Sequence, residues 1–258
     1  MAFTTTFGFT PTSPAVTVNE LTANAQLLGV TVALDGGTSA VFFHTTTFGG
    51  QIRGRLVGPD GQPTGEDVFI SGGVAPTVDV QDGVVSAARL TNGNIVVTWA
   101  DSSAAKNILF RVLDASLNPV TGILSAETSG TNSIRPDVAA LTGGGFVIAC
   151  EKAFNATDHD ITFNRFNADG TPAGGPLGTG TALDASGALD EFPSVAGLAD
   201  GGFAFAFDRL AGGSSTGFTA VRNADGSVRQ APTQFDPFGS INTQMDVVAT
   251  PNGGFLVS

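Results

Sequence analysis

The amino-acid sequence predicts an all-β fold, a β-propeller of about five four-stranded blades whose last blade is shared between the N- and C-termini. Three observations carry this prediction: a motif that recurs about every fifty residues, a second turn signal at a fixed offset in each repeat, and strands that are apolar on both faces.

The motif is fullest at Leu198-Ala199-Asp200-Gly201-Gly202-Phe203-Ala204-Phe205-Ala206-Phe207, a strand end, a glycine turn and a second strand of alternating large and small residues. Copies lie at 90–99, 141–150 and 250–257, and 33–37 opens the series in weaker form. The spacing is 51 residues from Ile95 to Phe146, 57 from Phe146 to Phe203 and 52 from Phe203 to Phe255. A period near fifty leaves room for four short strands, as a propeller blade needs, whereas a solenoid coil is usually shorter and a sandwich does not repeat.

About 23 residues after each first turn comes a second. Asn167-Ala168-Asp169-Gly170-Thr171 and Asn223-Ala224-Asp225-Gly226-Ser227 are near-identical, and 58–62 and 114–118 hold the same place. Asp-Gly between strand-like runs predicts a hairpin through a type I′ turn, since glycine adopts positive φ at little cost. Each unit is therefore two hairpins. In the third unit the strands a, b and c fall at about 137–141, 146–150 and 161–166, with d after Pro172.

Strand b explains why the sheets must stack. Phe203, Phe205 and Phe207 share one face and Ala204 and Ala206 the other. Ile95, Val97 and Trp99 repeat the large face, as do Phe146, Ile148 and Cys150. Neighbouring blades would cover both faces. The first unit departs from this pattern, with Thr38 and Ser39 where the others carry a large residue.

The ends of the chain match each other. The last copy stops after strands a and b, and residues 5–15 resemble the c-turn-d stretch at 162–173. The expected organisation is one domain, 1–258, with units at about 24–75, 76–133, 134–191, 192–243, and 244–258 completed by 1–23. The alternative is a piece of a longer array whose last blade is completed by other residues.

Composition narrows the function. The 35 glycines show no three-residue period, which excludes collagen, and a net charge of -12 opposes binding to nucleic acid or insertion into anionic membranes. Cys150 is the only cysteine, so an intrachain disulfide is excluded, and its place in a strand reads as a buried, inert thiol. The first residues lack the basic patch and apolar run of a signal peptide, and no stretch reaches the roughly eighteen apolar residues of a membrane span.

In a propeller the b-to-c and d-to-a connections emerge on one rim, so candidate sites are sought there. The b-to-c segments fall at about 44–50, 101–107, 151–160 and 208–216. The most polar, 151–160, carries Glu151, Asp158 and Asp160, which could offer oxygen ligands to a hard cation such as calcium. The same segment holds His159 and Phe154; with Trp99 at the end of its strand, these are the candidate ligand-binding residues. Glycoside cleavage would need two facing carboxylates, drawn from Asp101, Glu151, Asp158, Asp160, Asp190, Glu191 and Asp208. Asp79, Asp137 and Asp246 recur early in strand a, which suggests a repeated structural role such as bonding backbone amides of the next blade.

The run Pro193-Ser194-Val195-Ala196-Gly197-Leu198-Ala199-Asp200-Gly201-Gly202-Phe203, followed by the Asn-Ala-Asp-Gly turn, resembles the glycine-rich repeats of large bacterial secreted proteins that often accompany RTX-type calcium-binding repeats. The RTX nonapeptides are absent, so their calcium chemistry does not carry over. The resemblance implies an extracellular or cell-surface setting and an adhesive or structural role. The expected function is a non-enzymatic binding or structural module, lectin-like through its rim loops, with glycans or other cell-surface components as partners. A self-assembling subunit and a glycoside-active enzyme are the alternatives.

Overall fold

A computed structural model describes residues 17–18, 26–46, 50–73, 76, 85–104, 106–127, 132–174, 180–211, 213–235 and 245–258. The first sheet is β1 (Gln26–Ala33), β2 (Ser39–Thr45), β3 (Gln51–Val57) and β4 (Pro63–Phe69). The second is β5 (Ser86–Arg89), β6 (Ile95–Ala100), β7 (Ile108–Leu113) and β8 (Leu124–Ser125). The third is β9 (Asn132–Ala140), β10 (Phe146–Asn155), β11 (Asp158–Phe166) and β12 (Thr181–Ala182). The fourth is β13 (Leu189–Gly197), β14 (Phe203–Ala211), β15 (Ser214–Arg222) and β16 (Val228–Gln234). A hairpin of β17 (Val247–Ala249) and β18 (Phe255–Val257) follows.

Within each sheet consecutive strands pair antiparallel, and the first strands of successive sheets touch in the order β1, β5, β9, β13, β17. This is the blade arrangement of a propeller, with the a strands innermost. One parallel pairing, His159 with Leu189, joins the third and fourth blades at their rim. The composite blade expected from residues 1–23 lies outside the described residues, as does Asp79.

The alternating faces of strand b fill the seams between blades. Phe203, Phe205 and Phe207 pack with Val147, Ala149 and Phe163 of the third blade, while Ala204 and Ala206 pack with Val247 and Phe255 of the last hairpin. Phe146, Ile148 and Cys150 face the second blade, and Ile95, Val97 and Trp99 face the first. Trp99 is wholly buried and Phe42 packs with it, so the tryptophan belongs to the core and offers no ring to a ligand. In the first unit Ala40 and Phe42 face the second blade, which fixes the register that Thr38 and Ser39 had left open.

A hydrogen-bond latch repeats across the a strands. Ser86 Oγ donates to Asp137 Oδ1 at 2.7 Å and accepts from the Val138 amide, while Asp137 Oδ2 accepts the Val195 amide of the next blade at 2.8 Å. One blade pair further on, Ser194 Oγ donates to Asp246 Oδ1 at 3.0 Å and accepts the Val247 amide. Serine and aspartate thus alternate at one position around the inner strands, each satisfying backbone groups that the sheets leave unpaired.

The hairpin turns form where expected, with a different geometry. Asn167 and Thr171 close the loop, Gly170 donates back to the Asn167 carbonyl, and only Gly170 has positive φ. That is a type I turn ending in a left-handed residue, not the type I′ turn expected from Asp-Gly. Asp169 and Asp225 instead accept the amide two residues on. In the second blade Leu117 takes the left-handed place at φ 65, held there by burial of its side chain in the seam with the first blade.

Candidate functional site

The b and c strands of blades three and four run past the seams and stand above the rim. Pairing continues through Glu151 with Ile161, Lys152 with Asp160 and Ala153 with His159, and in the fourth blade through Ala211 with Ser214. The segment 151–160, expected to be a loop, is therefore a hairpin whose tip is residues 156–157. Strand alternation corrects the proposed metal set. Glu151 is opposite Ile161 and Asp160 is opposite Lys152, so Glu151 and Asp160 project from opposite faces and do not converge.

At the foot of these hairpins the inner strands bulge. Pairing along β9 slips between Asp137 and Ile134, and along β13 between Glu191 and Ser194. Arg135 and Phe192 occupy the bulges with φ of 53° and 54°, each just before a proline. Such left-handed backbone at a non-glycine residue costs on the order of 1–3 kcal/mol and persists where surrounding contacts hold it.

Those contacts form a charged cluster. Glu151 is fully buried; its Oε2 binds Arg135 Nη1, and its Oε1 lies 2.6 Å from His159 Nδ1. Arg135 Nη1 also reaches Glu191 Oε1 at 3.2 Å, its guanidinium lies 3.9 Å over the Phe192 ring, and the Phe192 amide donates to Glu151 at 3.3 Å. The hydrogen bond and charge of Glu151 hold the His159 imidazole above its ordinary pKa.

Directly opposite Glu191 on β14 is Asp208. Its carboxylate is buried, neither oxygen has a hydrogen-bond partner, and burial with help from the Glu191 charge pushes its pKa up to about 6. Glu191 is the solvent-facing member of this pair, with a side chain 23% exposed. Two positions along the same face, Leu189 pairs with Leu210, and together with Ala156, Thr157, Gly187, Ala188 and Gly213 they line a groove of about 440 Å³.

A second cluster lies beside the first. Arg209 grips Asp190 through Nε at 2.6 Å and Nη2 at 2.7 Å, and Asp184 through Nη2 at 2.7 Å. Carboxylate oxygens of Asp160, Asp184 and Asp190 lie within 4.8 Å of one another. Burial, then the charges of Asp158, Asp190 and Asp184, raise Asp160 to about 6. On the same face of the hairpin as Asp160, Lys152 meets Glu127 at 3.6 Å.

Of the residues singled out in the sequence, the structure gathers Glu151, His159, Glu191 and Asp208 in one cluster and Asp160 and Asp190 in the other. Phe154 stands at the hairpin end, half exposed, with Lys152 Nζ 5.7 Å from its ring. Asp101 is turned into its own loop by Ser103 and Asn107. His44 is buried, and burial lowers its pKa, so it is a neutral core residue. Cys150 is buried 3.4 Å from Thr162 Oγ1, and burial pushes its thiol up to about 12. Arg135, Asp184 and Arg209 were missed. For Arg135 a signal existed: Ile134-Arg135-Pro136-Asp137 and Glu191-Phe192-Pro193-Ser194 stand at the same place in successive repeats.

Fold and site together define a β-propeller with a charged, grooved rim over two of its blades. No protein-family model matches the chain, and no curated protein matches it in sequence. Solved propeller structures do match. A polysaccharide lyase, an ulvan lyase bound to -[GlcA(1-4)Rha3S]-, aligns with a TM-score of 0.58 and 13% identity over 86% of this chain. The chain spans about three fifths of that lyase, 61% of its length. An α-L-arabinofuranosidase of Fusarium graminearum, in complex with an iminosugar inhibitor, aligns with a TM-score of 0.55 and 14% identity, covering 90% of this chain and 74% of that one. The endo-arabinase of Bacteroides thetaiotaomicron aligns with a TM-score of 0.51 and 17% identity, covering 85% and 84%.

These neighbours overturn the expectation of a non-enzymatic binding or structural module. They are carbohydrate-active enzymes on the same fold. Among the described residues no helix is long and apolar enough to cross a membrane.

Proposed function

We propose that this chain is a carbohydrate-active enzyme that cleaves glycosidic bonds on the rim over the third and fourth blades. The observation that carries this reading is the cross-strand pair of Glu191 and Asp208. Directly opposite residues hold their Cβ atoms about 4.5–5.5 Å apart, close enough for two carboxyls to share one proton. Asp208, buried and without a hydrogen-bond partner, keeps its proton up to about pH 6, and Arg135 Nη1 holds Glu191 Oε1 at 3.2 Å. A buried carboxyl that holds its proton beside a second, solvent-facing carboxyl is the equipment of glycoside cleavage, in which a proton goes to the leaving oxygen while a carboxylate acts as base or nucleophile.

The pair meets substrate through Glu191, the member that reaches solvent, and the groove continues along the same face. Arg135 and His159 provide donors for sugar hydroxyls or a uronate carboxylate, and the exposed ring of Phe154 offers a stacking surface. The choice of polymers to test follows the neighbours, which include an ulvan lyase and an endo-arabinase.

The test is release of reducing ends from arabinan, arabinoxylan and ulvan between pH 4 and pH 8. Glu191→Gln should lower the rate by about 10²–10⁴-fold, as loss of an acid–base group does. Absence of product from every polymer, or full activity in Glu191→Gln, would overturn the reading. A product carrying an unsaturated uronate would mean elimination and would overturn the hydrolytic roles given to the pair.

A further inference from the structure

The second charged cluster has no part in that chemistry, and its chemistry differs. Asp160, on β11, and Asp184, after β12, come from the third blade, and Asp190 and Arg209 from the fourth. Three carboxylates against one guanidinium leave a formal charge of about −2 when all are ionised. Arg209 occupies both oxygens of Asp190 and Oδ2 of Asp184. Asp184 Oδ1 and Asp160 Oδ1 are buried without any hydrogen-bond partner.

Asp160 is the decisive residue. It is 93% buried, being 7% exposed, and one of its oxygens lies within 4.8 Å of oxygens from both other aspartates. A carboxylate taken out of water with an oxygen unsatisfied costs several kcal/mol unless a charge or proton meets it. Arg209, the nearby cation, already spends its donors on Asp190 and Asp184.

We propose that Asp160, Asp184 and Asp190 form a calcium site that ties the third blade to the fourth. The ion balances the residual charge of two, and oxygen-only ligands suit a hard cation. Calcium holds its ligands at about 2.3–2.6 Å, so oxygens bound to one ion are at most about 5 Å apart, and one carboxylate oxygen from each of these aspartates lies within 4.8 Å of the others. Arg209 acts as a positioning residue that fixes the orientation of Asp190 and Asp184. Asp184, with its side chain 28% exposed, gives the ion and its remaining waters a way in. The burial and like charges that raise Asp160 are conditions a bound cation relieves. Of the cation ligands read from the sequence, this assignment keeps Asp160 and replaces Glu151 and Asp158.

Calcium titration of chelator-treated protein, followed by calorimetry and by thermal unfolding, tests the proposal independently of any glycoside activity. Wild type should bind about one calcium and gain about 5–10 °C in Tm at a hundredfold excess over Kd. Asp160→Asn and Asp184→Asn should each weaken binding at least tenfold and remove the gain in Tm. Asp208→Asn should keep both, because that residue belongs to the other cluster. An unchanged Tm and no binding heat in wild type would overturn the proposal, and so would a full calcium response in Asp160→Asn. Magnesium raising Tm as much as calcium would overturn the choice of ion. Because Asp208→Asn reports on the glycoside reading and Asp160→Asn on the cation, failure of one leaves the other standing.

Discussion

The Arg135 guanidinium lies 3.9 Å over the ring of Phe192, and the two residues occupy the same place in successive blades, each in left-handed backbone before a proline. A bulge in one inner strand aims a cation at the aromatic lifted by the bulge in the next. The pair closes over Glu151, which takes the Arg135 guanidinium on Oε2 and the Phe192 amide on the same oxygen. Backbone strain, a buried carboxylate and a stacked cation are thus one arrangement, set where the groove meets the blade seam.

Removing Arg135 leaves the buried Glu151 with only His159 and the Phe192 amide of the partners described above. Arg135→Ala should cost about 3 kcal/mol in urea unfolding, the scale for breaking one side of a buried ion pair. Much of that cost is the stranded charge, so Arg135→Ala combined with Glu151→Gln should recover at least about 1 kcal/mol relative to simple addition. Strict additivity of the two substitutions would show that the pair is not coupled.

Asp208 contributes to stability with the opposite sign. Its folded pKa, about 6, lies above the ordinary carboxylate value of 3.8. The stability from its neutral form is complete below about pH 4 and is lost as pH rises through about 6. Asp208→Asn removes that loss. The variant should match wild type near pH 4 and exceed it by about 3 kcal/mol at pH 8. Its glycoside activity should fall at the same time, the pattern expected where a strained site serves chemistry. Equal stability of the two proteins at pH 8 would remove Asp208 as a buried acid.

The fold was legible because its signals are local and repeated. Phe203, Phe205 and Phe207 against Ala204 and Ala206 state both the strand and the two seams it fills, and the glycine turns mark each hairpin. The site was half legible. Glu191 and Asp208 were among the carboxylates considered, but their partnership depends on strand register between residues 17 positions apart. Glu151 and Asp160 looked like members of one flexible loop. Continued alternation past Cys150 made that loop a hairpin and sent them to different clusters. Arg209 joins Asp190 across β13 and β14 and Asp184 from the preceding blade, contacts for which the sequence carries no periodic trace.

His159 gives the fold a dependence on pH above 6.5. Its hydrogen bond to Glu151 raises its pKa above 6.5, so the stability it adds is complete below 6.5 and is lost as pH rises through the folded value. His159→Gln should flatten the unfolding free energy over that upper window while leaving the Asp208 transition near pH 6 in place. A wild-type curve without any loss of stability above pH 6.5 would contradict the bond between His159 and Glu151.

The seam between blades three and four also sets a steric limit that can be measured. A Cβ added at Gly197 would fall 2.1 Å from the Ala140 carbonyl oxygen, a backbone atom of the neighbouring inner strand. No side-chain rotation relieves that contact, so β9 and β13 would have to separate. Two positions away, the Val195 amide bonds Asp137 across the same seam, and separation would strain that bond as well. Gly197→Ala should therefore lose about 3 kcal/mol, at the upper end for overpacking, or fail to accumulate as folded protein. Gly143, in the turn between β9 and β10, has open space around an added Cβ and no positive φ. Gly143→Ala should stay within about 0.5 kcal/mol of wild type, as substitutions at unconstrained surface positions do. If both alanines are tolerated equally, the inner strands are not in the close contact that holds the two site-bearing blades together.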